Sequence, residues 1–325
     1  MIIARSPLRI SMGGGGTDLS SYYEKHEGFF IAGAINRYIY VSLSRPFIEG
    51  IILKYSKIET VKKVTDIQHP IIREVLKMFD QKIPQIEIST IADVPSGTGL
   101  GSSGSFTTCL LKALFAHNRK VIHAHELAEL ACEIEILKLN ESIGKQDQYI
   151  SAFGGITSFT IKKNGAVVAE PLSISNEVIM NLEDNLLLFY TGKSRNAGQI
   201  LDNQKRKTEM NDKQIINSLH FTKELGLQSK DLLEKGEVEK FGLIMHKHWE
   251  HKKLNFPETT NPQINDWYET GIKNGALGGK LVGAGGGGFL LFYAHDKSKL
   301  RLSMKEIGLQ ELRFGFDFDG TKVIL

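Results

Sequence analysis

Residues Pro95 to Ser105 read Pro-Ser-Gly-Thr-Gly-Leu-Gly-Ser-Ser-Gly-Ser, and this stretch constrains the fold more than any other. Before it, 85–91 (QIEISTI) alternates apolar and polar residues as a strand does. After it, 106–117 (FTTCLLKALFAH) is apolar enough for a buried helix. A strand that turns into a helix through several glycines presents bare backbone at the helix start. Glycine allows another group to approach closely, and the unpaired N–H groups there face negative charge. The hydroxyls of Ser102 and Ser103 add donors for phosphate oxygens or ligands for a hard cation. The stretch reads as a loop for a nucleoside triphosphate.

Two commoner loops compete with that reading. Gly99-Leu-Gly-Ser-Ser-Gly104 fits the G-x-G-x-x-G dinucleotide pattern, and so does Gly283-Ala-Gly-Gly-Gly-Gly288. The second runs into Phe289-Leu-Leu-Phe-Tyr293, a strand where the dinucleotide unit needs a helix. The first follows a Pro-Ser-Gly-Thr excursion rather than a tight strand–helix turn. No G-x-x-x-x-G-K-[ST] occurs, which argues against the lysine-bearing P-loop.

At 325 residues, two domains are expected rather than one. The net charge of +3 is too small to argue for nucleic acid or membrane as a partner, and it fits an anionic small substrate. Cys109 and Cys132 fall in apolar helical stretches and read as small buried hydrophobes of a reducing compartment. The N-terminal MIIARSPLRIS lacks the apolar core of a signal peptide, and no apolar run approaches the ~18 residues of a spanning helix. A cytoplasmic protein is expected.

Glycine punctuates the first half into short strands at 2–5, 8–12, 29–35, 38–45, 51–55 and 85–91, with helices near 18–26 and 70–80. Helices follow at 102–117 and 123–139, and 152–161 returns to strand. Leu186–Tyr190 reads as a core strand opening a second domain, followed by a charged helical region over about 196–254. Helix (263–274), glycine loop, strand (288–294), helix (297–307) and strand (311–317) complete the chain. The domain boundary is placed within 165–185, giving 1–175 and 176–325. Loose strand–helix alternation indicates packed α and β layers without fixing the strand pairing.

Further segments add chemistry to the serine loop. Pro7-Leu-Arg9-Ile-Ser-Met-Gly-Gly-Gly15-Gly16-Thr17-Asp18 joins a strand to a glycine turn; Glu135 precedes Gly144-Lys-Gln-Asp147-Gln-Tyr149; Lys280-Leu-Val-Gly-Ala-Gly-Gly-Gly-Gly288 comes last. In that order and spacing the set resembles the GHMP small-molecule kinases, the superfamily of galactokinase, homoserine kinase and mevalonate kinase. The resemblance spans nearly the whole chain. It departs at Gly15-Gly16, where the galactokinase form has Glu-His, and at Gly104, where the family signature has alanine.

The resemblance implies an α+β, two-domain fold with the active site in the interdomain cleft, and ATP and Mg²⁺ as cofactors. The backbone of Pro95, Ser96, Gly97, Thr98, Gly99, Leu100, Gly101, Ser102, Ser103 and Gly104 would hold the triphosphate. Ser103 and Glu135 would ligate Mg²⁺, with Glu133 as the alternative carboxylate. Asp147 would be the catalytic aspartate and Arg9 the basic residue that steadies the transferred group. Gly285 and Gly286 would belong to the floor of the site.

Thr17 and Asp18, beside Gly15 and Gly16, match positions where galactokinase-like members bind sugar hydroxyls, so a sugar is expected. Lys193, Ser194 and Arg195 follow the 186–190 strand in an order that suits a second phosphate on the substrate. The combination is most similar to the D-glycero-D-manno-heptose 7-phosphate kinases of bacterial surface-glycan biosynthesis, with L-fucokinase-like kinases close behind. The substrates implied are a small sugar phosphate and ATP, and a homodimer is compatible with the family. A non-catalytic sensor on the same fold would be expected to have lost Arg9, Asp147 or the serine loop; all are present. His246-Lys-His248-Trp-Glu-His251 does not carry its imidazoles on one helix face, which argues against a zinc site.

Overall fold

The apolar runs at the start of the chain form two long antiparallel strands, β1 (Ile2–Gly13) and β2 (Gly28–Ser44). Each had been expected as two pieces. The register shows why they join: Pro7 pairs with Tyr38 and Leu8 with Ile35, so Asn36 and Arg37 bulge out of a continuous ladder. The computed structural model describes residues 1–79, 85–192 and 198–325.

The other strands are β3 (Gly50–Lys54), β4 (Ile58–Val61), β5 (Gln85–Ala92), β6 (Ile156–Ile161), β7 (Val167–Pro171), β8 (Leu186–Tyr190), β9 (Ala276–Leu281), β10 (Phe289–Ala294), β11 (Gln310–Leu312) and β12 (Lys322–Val323). Among the described residues β12-β1-β2-β5-β3-β4 form one sheet, with β6 also on β2 and β7 on β6. A second sheet runs β11-β8-β10-β9. Pairing is antiparallel except between β3 and β5, which makes the class α+β. The chain beyond Leu312 returns to the first sheet through an Ile35–Phe316 bridge and β12. The contiguous division 1–175 and 176–325 leaves out that return.

The helices are α1 (Ser20–His26), α2 (Pro70–Met78), α3 (Ser102–His117), α4 (Ala124–Cys132), α5 (Gln146–Phe153), α6 (Asn176–Asn185), α7 (Gly198–Glu209), α8 (Lys213–Glu234), α9 (Val238–Asn255), α10 (Pro262–Lys273) and α11 (Lys297–Glu306). Helix α3 is apolar on most sides and accordingly buried, packed on β1, β2 and α5. Its buried Thr107 and Thr108 donate to the carbonyls of Ser103 (3.1 Å) and Gly104 (3.0 Å), which offsets the cost of burying the hydroxyls. Both cysteines are buried free thiols, and burial pushes their pKa values up. Among the described residues no helix is long and apolar enough to cross a membrane.

Several expectations need correction. The helix at 123–139 is α4 followed by a π turn over Glu133–Lys138. Ala152 and Phe153 close α5, and β6 starts only after Gly154 and Gly155, whose positive φ values end the helix. The expected strand at 311–317 is confined to Gln310–Leu312. The stretch after α10 hides β9, whose Gly278 and Gly279 resemble loop residues in sequence. A Cβ at Gly278 would lie 2.0 Å from the carbonyl oxygen of Gly242 on α9, so helix and strand touch backbone to backbone there.

Candidate active site

The serine loop leaves β5 and enters α3 as expected, with φ of +74°, +84° and +77° at Gly97, Gly99 and Gly101. Such angles favour glycine, and Gly101 caps α3 in a left-handed conformation with no side chain on its N–H groups. The hydroxyl of Ser102 is buried and unpartnered among the described residues. Loop glycines also meet the second glycine run back to back. A Cβ at Gly99 would stand 2.5 Å from the Val282 carbonyl oxygen, and one at Gly283 would stand 2.8 Å from Gly99 Cα. This contact explains the second G-x-G-x-x-G match as packing.

A cavity of about 900 Å³ opens over the loop, walled by both sheets' helices and loops. The loop side chains divide accordingly: Thr98 and Leu100 are fully buried in the protein, while Ser102, Ser103 and Gly104 line the cavity. Gly285 and Gly286 do not line it. Gly285 packs on Thr259, and Gly286 donates its N–H to the Thr259 carbonyl at 2.7 Å; Gly283 and Ala284 form that wall instead.

Arg9 and Asp147 meet on the cavity wall. Arg9 Nε donates to Asp147 Oδ1 at 2.7 Å, and its Nη1 donates to the Gly99 carbonyl. The arginine is buried while the aspartate side chain is 30% exposed, so the carboxylate faces the cavity. Helix α5 puts Asp147 in its first turn, where a carboxylate suits the dipole. Gly104 lies under it: a Cβ there would be 2.8 Å from Asp147 Cβ and 2.9 Å from Gln148 N.

Glu135 is buried, accepts from Ser103 Oγ, and accepts from Gln148 Nε2 at 3.0 Å. Burial pushes its pKa up to about 7; its hydrogen bonds oppose the rise and the charge of Asp147 adds to it. Glu133 turns outward to an ion pair with Lys138 at 3.2 Å. The π turn thus separates the two candidates that sequence left open. Ser103 and Glu135 offer hard oxygen donors side by side, and no three-ligand His/Cys/Asp/Glu cluster exists among the described residues. A cation that takes few protein ligands and completes its shell with phosphate oxygens and water fits this donor set, and Mg²⁺ is such a cation.

Asp18 is buried with its oxygens held by backbone N–H groups, Gly16 at 3.0 Å and, next to Asp147 in the chain, Gln146 at 3.1 Å. Burial raises its pKa, against those hydrogen bonds. Gly15, Gly16 and Asp18 line the cavity; Thr17 does not. The Thr17 hydroxyl lies within 2.8 Å of the Gly14 and Phe29 carbonyl oxygens and accepts from Phe29 N at 3.0 Å, so it locks the turn instead of offering a contact. Lys193, Ser194 and Arg195 lie outside the described residues.

The sequence offers Lys252, beside Lys253, as a further positive group, but it does not bring Lys252, His248 and Lys280 together on one wall formed by α9 and β9. His248 and Lys252, one helical turn apart, line the cavity together with Lys280. Lys252 donates to the Gly283 carbonyl at 3.0 Å, and burial lowers its pKa to about 8. Burial and the charges of Lys252 and Arg9 lower that of Lys280 to about 7. Gln146 and Gln204 were missed too; Gln146 Nε2 donates to Ser11 Oγ at 3.2 Å and Gln204 Nε2 to the Gly16 carbonyl at 3.3 Å. The other imidazoles of the His246–His251 run point elsewhere, His246 to Tyr268 and His251 to Ser218. The cavity's apolar arm is lined by Ile39, Tyr55, His69, Ile71 and Phe106.

The sequence model of the GHMP kinases N terminal domain matches residues 70–155, and that of the GHMP kinases C terminal domain matches 229–308. A curated D-glycero-alpha-D-manno-heptose 7-phosphate kinase of Campylobacter jejuni is 31% identical over 99% of this chain and 98% of its own length. An L-fucokinase/L-fucose-1-P guanylyltransferase of Bacteroides fragilis is 26% identical over 91% of this chain and 35% of its own. A solved D-glycero-D-manno-heptose 1-phosphate kinase from Bacteroides thetaiotaomicron superposes with a TM-score of 0.83 over 100% of this chain and 99% of that one. At 24% identity, that last likeness shows the fold alone.

Proposed function

This chain belongs to the GHMP kinases, and from that premise we propose that it is an ATP-dependent kinase acting on the anomeric hydroxyl of D-glycero-D-manno-heptose 7-phosphate. The product is the 1,7-bisphosphate. The observation that carries the reading is the Arg9–Asp147 pair, 2.7 Å apart, at the mouth of a glycine loop with free helix-start N–H groups.

The triphosphate lies on residues 95–104, with the base toward the apolar arm around Tyr55, His69 and Phe106. The sugar lies between Asp18 and Asp147. Asp147 accepts the proton of the attacking hydroxyl as its oxygen bonds to the γ-phosphorus. The bond from that phosphorus to the β-phosphate oxygen breaks, ADP leaves, and the proton passes from Asp147 to solvent. Arg9 holds Asp147 turned to the cavity and stabilises charge on the transferred group. Ser103 and Glu135 would hold Mg²⁺, which when bound offsets phosphate charge. Asp18, its carboxylate preset by two N–H groups, selects sugar hydroxyls.

Similarity over nearly the full length to the Campylobacter jejuni relative favours a heptose 7-phosphate. The Bacteroides fragilis relative keeps L-fucose as the second reading. The test is ADP release with heptose 7-phosphate, its dephosphorylated form and L-fucose side by side. Preference for the 7-phosphate is expected; equal rates with and without it, or turnover on L-fucose alone, would sink the assignment.

A further inference from the structure

The α9–β9 wall carries positive charge that no carboxylate among the described residues pairs with. Lys280 is 6% exposed, lines the cavity, and has no hydrogen bond or ion pair among the described residues. Among the described residues Lys252 has only the Gly283 carbonyl as partner. The carboxylates of the cavity are all engaged elsewhere. Asp147 is held by Arg9, Glu135 by Ser103 and Gln148, Asp18 by the N–H groups of Gly16 and Gln146, and Asp93 by that of Tyr38. A buried ammonium is costly without a counter-ion, so an anion has to come from a ligand.

Position decides which anion. Lys252 is tied to Gly283, and Gly283 packs directly on Gly99 of the serine loop. Arg9 reaches the same Gly99 through its carbonyl. Lys280 lines the cavity from β9, two residues before Val282, whose carbonyl oxygen abuts Gly99 of the same loop. We infer that Lys280, backed by Lys252, binds the terminal phosphate of the nucleotide and neutralises the charge that spreads over it during transfer. The inference rests on the placement of the triphosphate on residues 95–104.

Lys280→Met keeps the stem and removes the charge; Lys280→Gln is a second variant that keeps a donor. Turnover falls by about 10²–10³ while the KM for the sugar holds. Inorganic tripolyphosphate, followed by calorimetry, binds at least about tenfold more weakly, and AMP binding is unchanged. The ligand-free variants melt higher, because an unpaired buried charge has gone. A lysine kept for packing gives the opposite pattern, a lower melting temperature with tripolyphosphate binding intact, and overturns the inference. So does loss of heptose 7-phosphate affinity with tripolyphosphate retained, which would assign the cation to the acceptor's phosphate. Ser102→Glu, which sets a carboxylate at the loop, separates the two levels. If it binds tripolyphosphate like the parent, the triphosphate placement itself fails. If it loses binding while both Lys280 variants keep binding and turnover, only the inference about Lys280 fails.

Discussion

Gly104→Ala restores the family's alanine to the serine loop, yet in this chain it should do harm. The added Cβ would stand 2.8 Å from Asp147 Cβ and 2.9 Å from Gln148 N, and much of what it meets is the backbone of α5. Backbone cannot swing aside as a side-chain tip does, so α5 has to retreat by about half an ångström to reach ordinary contact. Overpacking of this kind costs about 1–3 kcal/mol, and replacing a helical glycine returns at most about 1 kcal/mol. A net loss of about 1–2 kcal/mol is expected, a few degrees in Tm. The larger effect is on turnover. Asp147 moves with the first turn of α5, and a displacement of about 1 Å at a reacting group costs on the order of 10²-fold, so half of that costs about tenfold. The assays are thermal unfolding and steady-state ADP release, with ATP binding as the control. Wild-type turnover with a raised Tm would refute the packing of α3 on α5 described above.

Asp147→Asn should bind ATP nearly as the parent does and lose roughly 10²–10⁴ in kcat, as removal of a general base does; retained turnover in ADP release would remove Asp147 from the chemistry. Asp18→Asn turns a donor toward the N–H of Gly16 or Gln146, so the KM for the sugar should rise by more than about tenfold while that for ATP holds. Initial rates at varied sugar concentration decide it, and an unchanged KM would move the sugar elsewhere. Lys280 gives a pH signature in the folded state. Its pKa lies at about 7 instead of the usual 10.5, so the unfolded chain binds more protons between those values and this group's stability penalty fades as pH rises. The gain in stability of Lys280→Met over the parent should be full below pH 7 and gone near 10.5, read from denaturant melts across pH; a gain that grew with pH would contradict it.

How much was legible in sequence follows the range of the interactions. The serine loop was legible from its own glycines and hydroxyls between a strand and a helix, whereas Arg9, Asp147, Ser103 and Glu135 were singled out by the resemblance to the GHMP kinases. The choice between Glu133 and Glu135 depended on a π turn, which no residue spacing announces. Thr17 looked like a sugar contact because its hydroxyl partner, the backbone of Phe29, is set by pairing between distant segments. Lys280 was read with its glycine segment but given no role, because β9 was hidden by Gly278 and Gly279, which pack closely on α9 and on β10 respectively. Gly285 and Gly286 looked like floor residues because nothing local reveals that Thr259 covers them.

Proton-detected ³¹P correlation NMR on a reaction with ATP, Mg²⁺ and heptose 7-phosphate asks most directly where the phosphoryl group goes. A new phosphorus coupled to the anomeric proton is expected, with the 7-phosphate intact and ADP formed in equal amount. Phosphorus on any other carbon, or no transfer to the heptose while L-fucose is phosphorylated, would contradict the proposed reaction.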